Sequence, residues 1–251
     1  MTRDAFRSRL LGKELLVGTW VKTPAPVVCE VLSGSGLDVL ALDAEHAPFG
    51  RAELDACLAI CRATGMPALV RVPSGDASHI LNALDCGATG VLVPHVRTVS
   101  QAEAAVRSCH YGRGGRGYAG STRAAGFAGR SIADQLQEGR TKTTVILQIE
   151  DAEALDVIDG IAAVEGVDCL FIGRIDLTVS LGKTRPDDAE VLRAMEKICV
   201  AGKKASTAVG MFLSDPAEAR QWMTQGVSLF LLGSDQTFLL SGARQLIDAV
   251  R

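Results

Sequence analysis

Asp168-Cys169-Leu170-Phe171-Ile172-Gly173-Arg174-Ile175-Asp176-Leu177 is the stretch on which the fold turns. Four apolar or small residues in a row, stopped by a glycine, read as a strand buried on both faces, the pattern of a parallel sheet. A carboxylate, Asp176, stands three residues beyond that glycine. Thr144-Val145-Ile146-Leu147-Gln148-Ile149-Glu150 has the same design, an apolar run with an acid at its C-terminal end. Two buried strands that each deliver a carboxylate to the same end of a sheet suggest a metal site.

Working outward, short apolar runs alternate with helical patterns along the whole chain. Strands are expected at Leu16 to Val21, Asp38 to Asp43, Pro67 to Val72, Gly90 to Val93, Thr144 to Glu150, Asp168 to Gly173, Thr207 to Leu213 and Val227 to Gly233. Helices are expected over residues 3–13, 26–35, 51–64, 76–86, 100–110, 131–139, 151–163, 187–203, 215–225 and 235–250. Gly65 and Gly202 read as helix stops, and Ser214 or Asp215 as an N-cap. Residues 111–130 break the rhythm. They are rich in glycine and arginine and read as a long functional loop. Eight strand–helix units with no linker between them close naturally as a (β/α)8 TIM barrel, a single domain over residues 1–251. A doubly wound sheet is the weaker reading, because no GxGxxG follows the first strand.

Composition agrees. The chain has 251 residues, 47% of them hydrophobic, enough for a barrel core. The net charge is −3 with Lys and Arg scattered, so no basic stripe points to nucleic acid. No apolar run reaches the roughly 18 residues of a membrane span, and residues 1–10 lack the apolar core expected of a signal peptide. The seven cysteines contain no CxxC. Cys57 and Cys61 share a helical face and are expected to be buried as small apolar groups. The expected compartment is the reducing cytoplasm.

Barrel chemistry sits at the C-terminal ends of the strands. Those ends carry Trp20, Asp43-Ala44-Glu45-His46, Arg71, Gln148, Glu150, Asp176 and Leu213, with Asp85 on the helix before strand four. Gln148 and Glu150 are two apart and share a strand face. A buried carboxylate needs a cation or a proton. Glu150 and Asp176 together offer hard oxygens suited to a divalent ion such as Mg²⁺ or Mn²⁺. The competing reading makes Glu150 a helix cap and Asp176 an ordinary loop acid. His46, beside two acids, is a candidate general base, against an exposed loop histidine. Arg71 either clamps a carboxylate of a substrate or forms a structural pair with Asp43. His95 follows Pro94 at the end of strand four, where it could line the mouth, whereas His79 and His110 read as structural or exposed. No lysine occupies a desolvated strand end, which disfavours imine chemistry.

Taken in order, Asp43-Ala-Glu-His46, Arg71-Val-Pro73, Leu84-Asp85-Cys-Gly-Ala88, Gly90-Val-Leu-Val-Pro94, Gln148-Ile-Glu150 and Phe171-Ile-Gly173 with Asp176-Leu177 resemble the HpcH/HpaI aldolases, the metal-dependent pyruvate aldolases. The resemblance implies a phosphoenolpyruvate/pyruvate-type barrel that reversibly cleaves a 4-hydroxy-2-oxo acid to pyruvate and an aldehyde, using Mg²⁺, Mn²⁺ or Co²⁺. It assigns Glu150 and Asp176 to the metal and His46 to the general base. Asp85 is the carboxylate that raises the basicity of His46, Arg71 stabilises the transition state, and Asp43 belongs to the catalytic cluster. Gln148 and the backbone at Ile175 and Asp176 contact substrate, with Trp20, Gly173 and Leu213 as further candidates. It also implies a homo-oligomer, a hexamer or trimer, in which the helix over 235–250 packs on a neighbouring barrel. The chain departs from the family pattern at Gly112-Arg113, where Pro-Pro is usual. It departs again at Arg174, in place of proline, and at Ile175, in place of a small residue. The departures put Arg113 and Arg174 either close to the mouth or pointing outward. They keep two other readings open: a decarboxylase of oxaloacetate on the same barrel, and a non-catalytic binding protein.

Overall fold

A computed structural model describes residues 5–251. The chain begins with α1 (Phe6–Leu11), so the first residues of the helix expected over 3–13 lie outside the described residues. It then runs β1 (Leu16–Val21), α2 (Pro26–Ser33), β2 (Val39–Asp43), α3 (Arg51–Thr64), β3 (Ala68–Arg71), α4 (Ala77–Asp85), β4 (Gly90–Val93), α5 (Val99–Cys109), α6 (Ile132–Lys142) and β5 (Thr144–Ile149). After a 3-10 turn at Ala152–Val157 come α7 (Ile158–Ala162), β6 (Cys169–Ile172), α8 (Arg174–Ser180), α9 (Ala189–Ala205) and β7 (Ala208–Leu213). A second 3-10 turn, Pro216–Glu218, leads to α10 (Ala219–Thr224), β8 (Val227–Ser234) and α11 (Asp235–Val250). The eight strands pair in chain order, all parallel, and β8 returns to β1 to close the barrel. The expected (β/α)8 TIM barrel is what forms.

The strands read as continuous apolar runs because both faces are buried. Leu40, Leu42, Val70, Val91, Leu147, Leu170, Ile172 and Met211 face the helices in the larger core. Val39, Ala41, Leu69, Leu92, Ile146, Cys169, Phe171, Ala208, Leu229 and Leu231 fill the inside of the barrel. The alternation is strict, so the inward column of β5 continues from Ile146 through Gln148 to Glu150. Helix α3 ends where expected, with Gly65 in a left-handed conformation (φ 75°). All seven cysteines are free and buried. Burial pushes the Cys109 and Cys199 thiols up to about 12, so they pack as apolar groups and do not ionise.

Three elements differ from the sequence reading, the first being the helix expected over 215–225, which is split into the 3-10 turn Pro216–Glu218 and α10. The helix expected over 151–163 is split into a 3-10 turn and the short α7. The Asp151 side chain makes no cap bond there, because His95 and Arg97 hold its carboxylate. Helix α8 is an addition: its β-branched residues give little helical signal. It begins directly at Gly173 and so carries Asp176 in its first turn.

The end of the barrel where the strands begin is plugged by α1. Phe6 and Leu10 are fully buried against the inner core. Arg7 forks onto Asp168 (Nε and Nη2 to the two carboxylate oxygens, both 2.9 Å) and also donates to the Arg140 and Thr141 carbonyls. Asp168 in turn accepts the Val145 N–H at 2.9 Å. Arg9 and Asp38 repeat the device across the plug, with Asp38 accepting the Val17 N–H. Replacing Arg7 strands a buried carboxylate at the start of β6. We expect Arg7→Ala to lower unfolding free energy by about 2–3 kcal/mol. Urea denaturation reads this directly, and a loss below roughly 0.5 kcal/mol would show that the plug adds little.

Candidate active site at the barrel mouth

At the opposite end, where the strands finish, a cavity of about 430 Å³ is lined by Trp20, His46, Arg71, Gln148, Phe171, Gly173, Ile175, Asp176, Phe212 and others. Most residues singled out in the sequence meet here. The inward columns of β2 and β3 end in Asp43 and Arg71, which form a two-pronged buried pair (Nε to Oδ1 2.9 Å, Nη2 to Oδ2 2.7 Å). Lys22 Nζ adds a third contact to Asp43 at 3.5 Å. Burial alone would raise the Asp43 carboxyl. The bonds and charge of Arg71, the His46 N–H and Lys22 outweigh it, and the net shift is downward. The structural pairing of Arg71 is therefore real. The guanidinium still borders the cavity, stacked 4.4 Å over the Trp20 ring. Trp20 is held edge-on to Phe171. Together these contacts fix Arg71 in one orientation.

Gln148 and Glu150 share the inward face of β5, and Glu150 is only 1% exposed. Its oxygens accept the His95 backbone N–H (2.9 Å) and a short bond from the Gln148 amide. Glu150 is thus not a helix cap; Asp151 occupies that position. Burial drives the Glu150 carboxyl above its ordinary range, and the charge of Asp176 pushes the same way. Burial also raises Glu45, with Asp43 and Asp176 adding to it. Gly173 makes the crowding possible. A Cβ at that position would lie 2.6 Å from Glu150 Oε2 and 3.0 Å from Gln148 Nε2. The glycine that ends β6 is required for close approach of a carboxylate.

Three acids, Glu45, Glu150 and Asp176, therefore repel one another across a small volume. Gln148 Oε1 is buried there with no hydrogen-bond donor. Glu45, His95 and Glu150 each offer a ligand atom, all within 4.8 Å of one another. Such a donor set fits a divalent cation, which would relieve the repulsion and take up free lone pairs. Glu45 and His95 were not among the ligands expected from the sequence. Glu45 is visible only as the third residue of Asp43-Ala-Glu-His46. His95 is placed by a left-handed backbone (φ 54°) that no sequence pattern announces.

His46 borders the cavity and is half exposed, with Nε2 3.7 Å from Glu45 Oε2. Its backbone N–H donates to Asp43. Asp85, expected beside His46, is elsewhere in the same chain. It ends α4, which runs back antiparallel to the strands, so it lies at the end where the strands begin and pairs with Arg116. Glu45 is the carboxylate that accompanies His46 within one chain. The glycine-rich loop carrying Arg113 and Arg116 follows the end of α5 and lies at that far end too. Leu213 is buried toward the helices. Its neighbour Phe212 lines the cavity, as strand alternation requires. Arg174 turns away to Glu218 (2.7 Å) and the Pro186 carbonyl (3.0 Å). Ile175 lines the cavity and is 54% exposed.

Residues 16–241 match the model of the HpcH/HpaI aldolase/citrate lyase family. A hydroxypyruvate/pyruvate aldolase from Paraburkholderia phytofirmans is 36% identical, over 99% of this chain and 98% of its own. A 5-keto-4-deoxy-D-glucarate aldolase from Shigella boydii is 32% identical, over 99% and 96%. The crystal structure of a family protein from Burkholderia cenocepacia superposes with a TM-score of 0.94 at 36% identity, covering 99% of both chains. With matches of this extent across the strands that build the mouth, the chain belongs to the HpcH/HpaI aldolase/citrate lyase family.

Proposed function

We propose that the protein is a divalent-metal-dependent carbon–carbon lyase that reversibly cleaves a 4-hydroxy-2-oxo acid to pyruvate, or a close 2-oxo acid, and an aldehyde. The observation that carries this is Glu150: a nearly inaccessible carboxylate with Asp176 across Gly173, sharing one mouth with Arg71 and His46. The printed names of two relatives, both aldolases, support the same reaction class.

Glu150 and Asp176 would hold the ion, with Glu45 close by. Such an ion supplies the positive charge that favours enolate formation from a 2-oxo acid. His46 takes the proton of the substrate 4-hydroxyl on cleavage and returns it on addition, with Glu45 Oε2 3.7 Å from its Nε2. Arg71, locked by Asp43 and Trp20, offsets negative charge developing on the substrate oxygens without having to reorganise. Gln148 aims its amide at Glu150 and borders the space for the carboxylate end of the donor. Phe212, Trp20 and Ile175 give the cavity an apolar wall.

A homo-oligomer is part of this proposal. In α11 only Asp235 is buried; its carboxylate receives the Lys22 and Thr23 N–H groups and pins the helix start. Beyond it Phe238, Leu239, Leu240, Leu246, Ile247 and Val250 are exposed, a stripe that water disfavours and a second copy would cover. No helix among the described residues is long and apolar enough to cross a membrane. Together with seven reduced cysteines this supports a cytoplasmic setting.

Pyruvate release from 4-hydroxy-2-oxo acids should require Mg²⁺, Mn²⁺ or Co²⁺ and vanish on chelation. His46→Ala should lower kcat by about 10²–10⁴-fold. Turnover that persists in thoroughly chelated protein would defeat the metal-dependent reading, and consumption of oxaloacetate alone would replace it with a decarboxylase. Gly173→Ala should leave far-UV circular dichroism unchanged while weakening metal binding by at least about tenfold, because Glu150 must move; calorimetric titration with Mn²⁺ measures this, and unaltered affinity would remove Gly173 from the site. For the assembly, Leu239→Lys with Leu246→Lys should convert the native oligomer to smaller species by light scattering. A monomeric native protein would refute it.

A further inference from the structure

We propose that the glycine- and arginine-rich loop over residues 111–130 closes an anion-binding site at the end of the barrel where the strands begin, and that this site takes a phosphate group. The site lies away from the mouth, and the inference stands independently of the aldolase reading.

Three observations carry it. First, the loop covers a cavity of about 290 Å³ that the proposed reaction does not use. Its floor is the start of β4 and β5, marked by Thr89 and Thr143, and its walls are the end of α4, α6 and the loop itself. A volume near the lower end of small-molecule sites has room for a phosphate with a short attached group.

Second, the charges that line it do not balance. Arg62, Arg116, Arg130 and Lys142 line it together with a single acid, Glu138. Glu138 is shared between Arg130 and Lys142, and Arg116 is paired with Asp85. Arg62 pairs with no carboxylate among the described residues; its guanidinium donates to the Arg123 carbonyl at 2.8 Å. Four cations against two acids leave an excess of two positive charges in a partly enclosed space, the complement of a phosphate dianion. The plug at the same end of the barrel differs, because Arg7 and Arg9 each meet an aspartate there.

Third, the polar groups are fixed in place but not saturated. Arg116 is 7% exposed, and its Nε has no acceptor. Its guanidinium stacks 4.8 Å from the centre of the Tyr111 ring. That ring packs on Gly139, where a Cβ would come within 3.0 Å of it. The Tyr111 hydroxyl accepts from the Gln135 amide at 2.8 Å, which leaves its own hydrogen for an incoming acceptor. Gln135 Oε1 is buried without a donor, and a hydroxyl on the ligand would satisfy it. Oriented guanidinium forks beside a fixed phenol recognise phosphate by geometry as well as charge. Free phosphate and a phosphorylated metabolite share this chemistry.

The test is calorimetric titration of the full chain in the presence of EDTA, with inorganic phosphate and with glycerol 3-phosphate as probes. The native protein should bind at one site per chain with a dissociation constant of about 1 mM or below. Arg62→Gln removes a charge without stranding an acid and should weaken binding at least about tenfold. Arg130→Gln, a second variant that keeps the test from depending on one substitution folding, should weaken it to a similar extent. Tyr111→Phe should cost about threefold. Arg174→Gln, at the mouth, should leave the affinity unchanged. Tighter binding of glycerol 3-phosphate identifies an organic phosphate as the ligand; equal or weaker binding identifies the free ion. The absence of both binding heat and thermal stabilisation of the native protein at about 10 mM of either probe overturns the inference. Affinity unaltered in both arginine variants does so as well, and loss of binding in Arg174→Gln would place the anion at the mouth and overturn it too.

Discussion

A carboxylate at the end of an apolar barrel strand cannot reach water, and it cannot stay ionised without a counter-charge. Glu150 is in that position, and much of the mouth is arranged around it. The inward column of β5 passes from Ile146 to Gln148 to Glu150, so the transition from core to chemistry takes place within one strand. β6 must then end in a residue without a side chain, because any Cβ at Gly173 would collide with Glu150. With glycine there, α8 starts at once, and Asp176 arrives in its first turn. Packing on one strand thus dictates where the next places its acid.

Much of this order is readable from residue types and spacing. Eight apolar runs alternating with helical patterns give the barrel, and the two-residue spacing of Gln148 and Glu150 gives their shared face. Arg71 within Pro67-Ala-Leu-Val-Arg-Val-Pro73 is visibly a charge that a strand cannot discard. Its alternatives, structural pair or substrate clamp, prove not to exclude one another: Asp43 holds it and the cavity meets it. The rest was hidden because it depends on contacts through space. Glu45 becomes important only once β2, β4 and β5 end side by side. His95 depends on a backbone turn that residue preferences do not announce. Leu213 and Phe212 differ by one place in register, and a strand end inferred from hydrophobicity does not resolve one place. Asp85 is adjacent in sequence to the mouth-forming strands, but the return direction of α4 carries it to the other end of the barrel.

The two ends of the barrel use the same residue types for opposite purposes. Where the strands begin, Arg7 and Asp168, and Arg9 and Asp38, pair oppositely charged groups and also satisfy the Val145 and Val17 N–H groups. Positive and negative charges are matched there, so the plug is a structural device. Where the strands end, the acids Glu45, Glu150, Asp151 and Asp176 crowd around Arg71, His95 and Arg97, and the Glu45 and Glu150 carboxyls are pushed upward. Such crowding of acids would be relieved by a cation, the separation of stability from function that barrels permit.

The departures from the family pattern fit that division. Arg174, in place of the usual proline, ties the start of α8 to Glu218 and the Pro186 carbonyl. Proline would have fixed the first helical residue by its ring; the arginine fixes it by two outward contacts, and Asp176 is held at the mouth in either case. Its guanidinium is paired with Glu218, although the residue also lines the mouth cavity. Ile175 beside it also lines the cavity, as a half-exposed apolar residue. An apolar branched group there leaves the acids and Arg71 untouched and changes the volume and polarity beside them. On the proposed aldolase reading, the substitution would bear on which 2-oxo acid or aldehyde fits, while Glu150, Asp176, His46 and Arg71 stay where the strands put them.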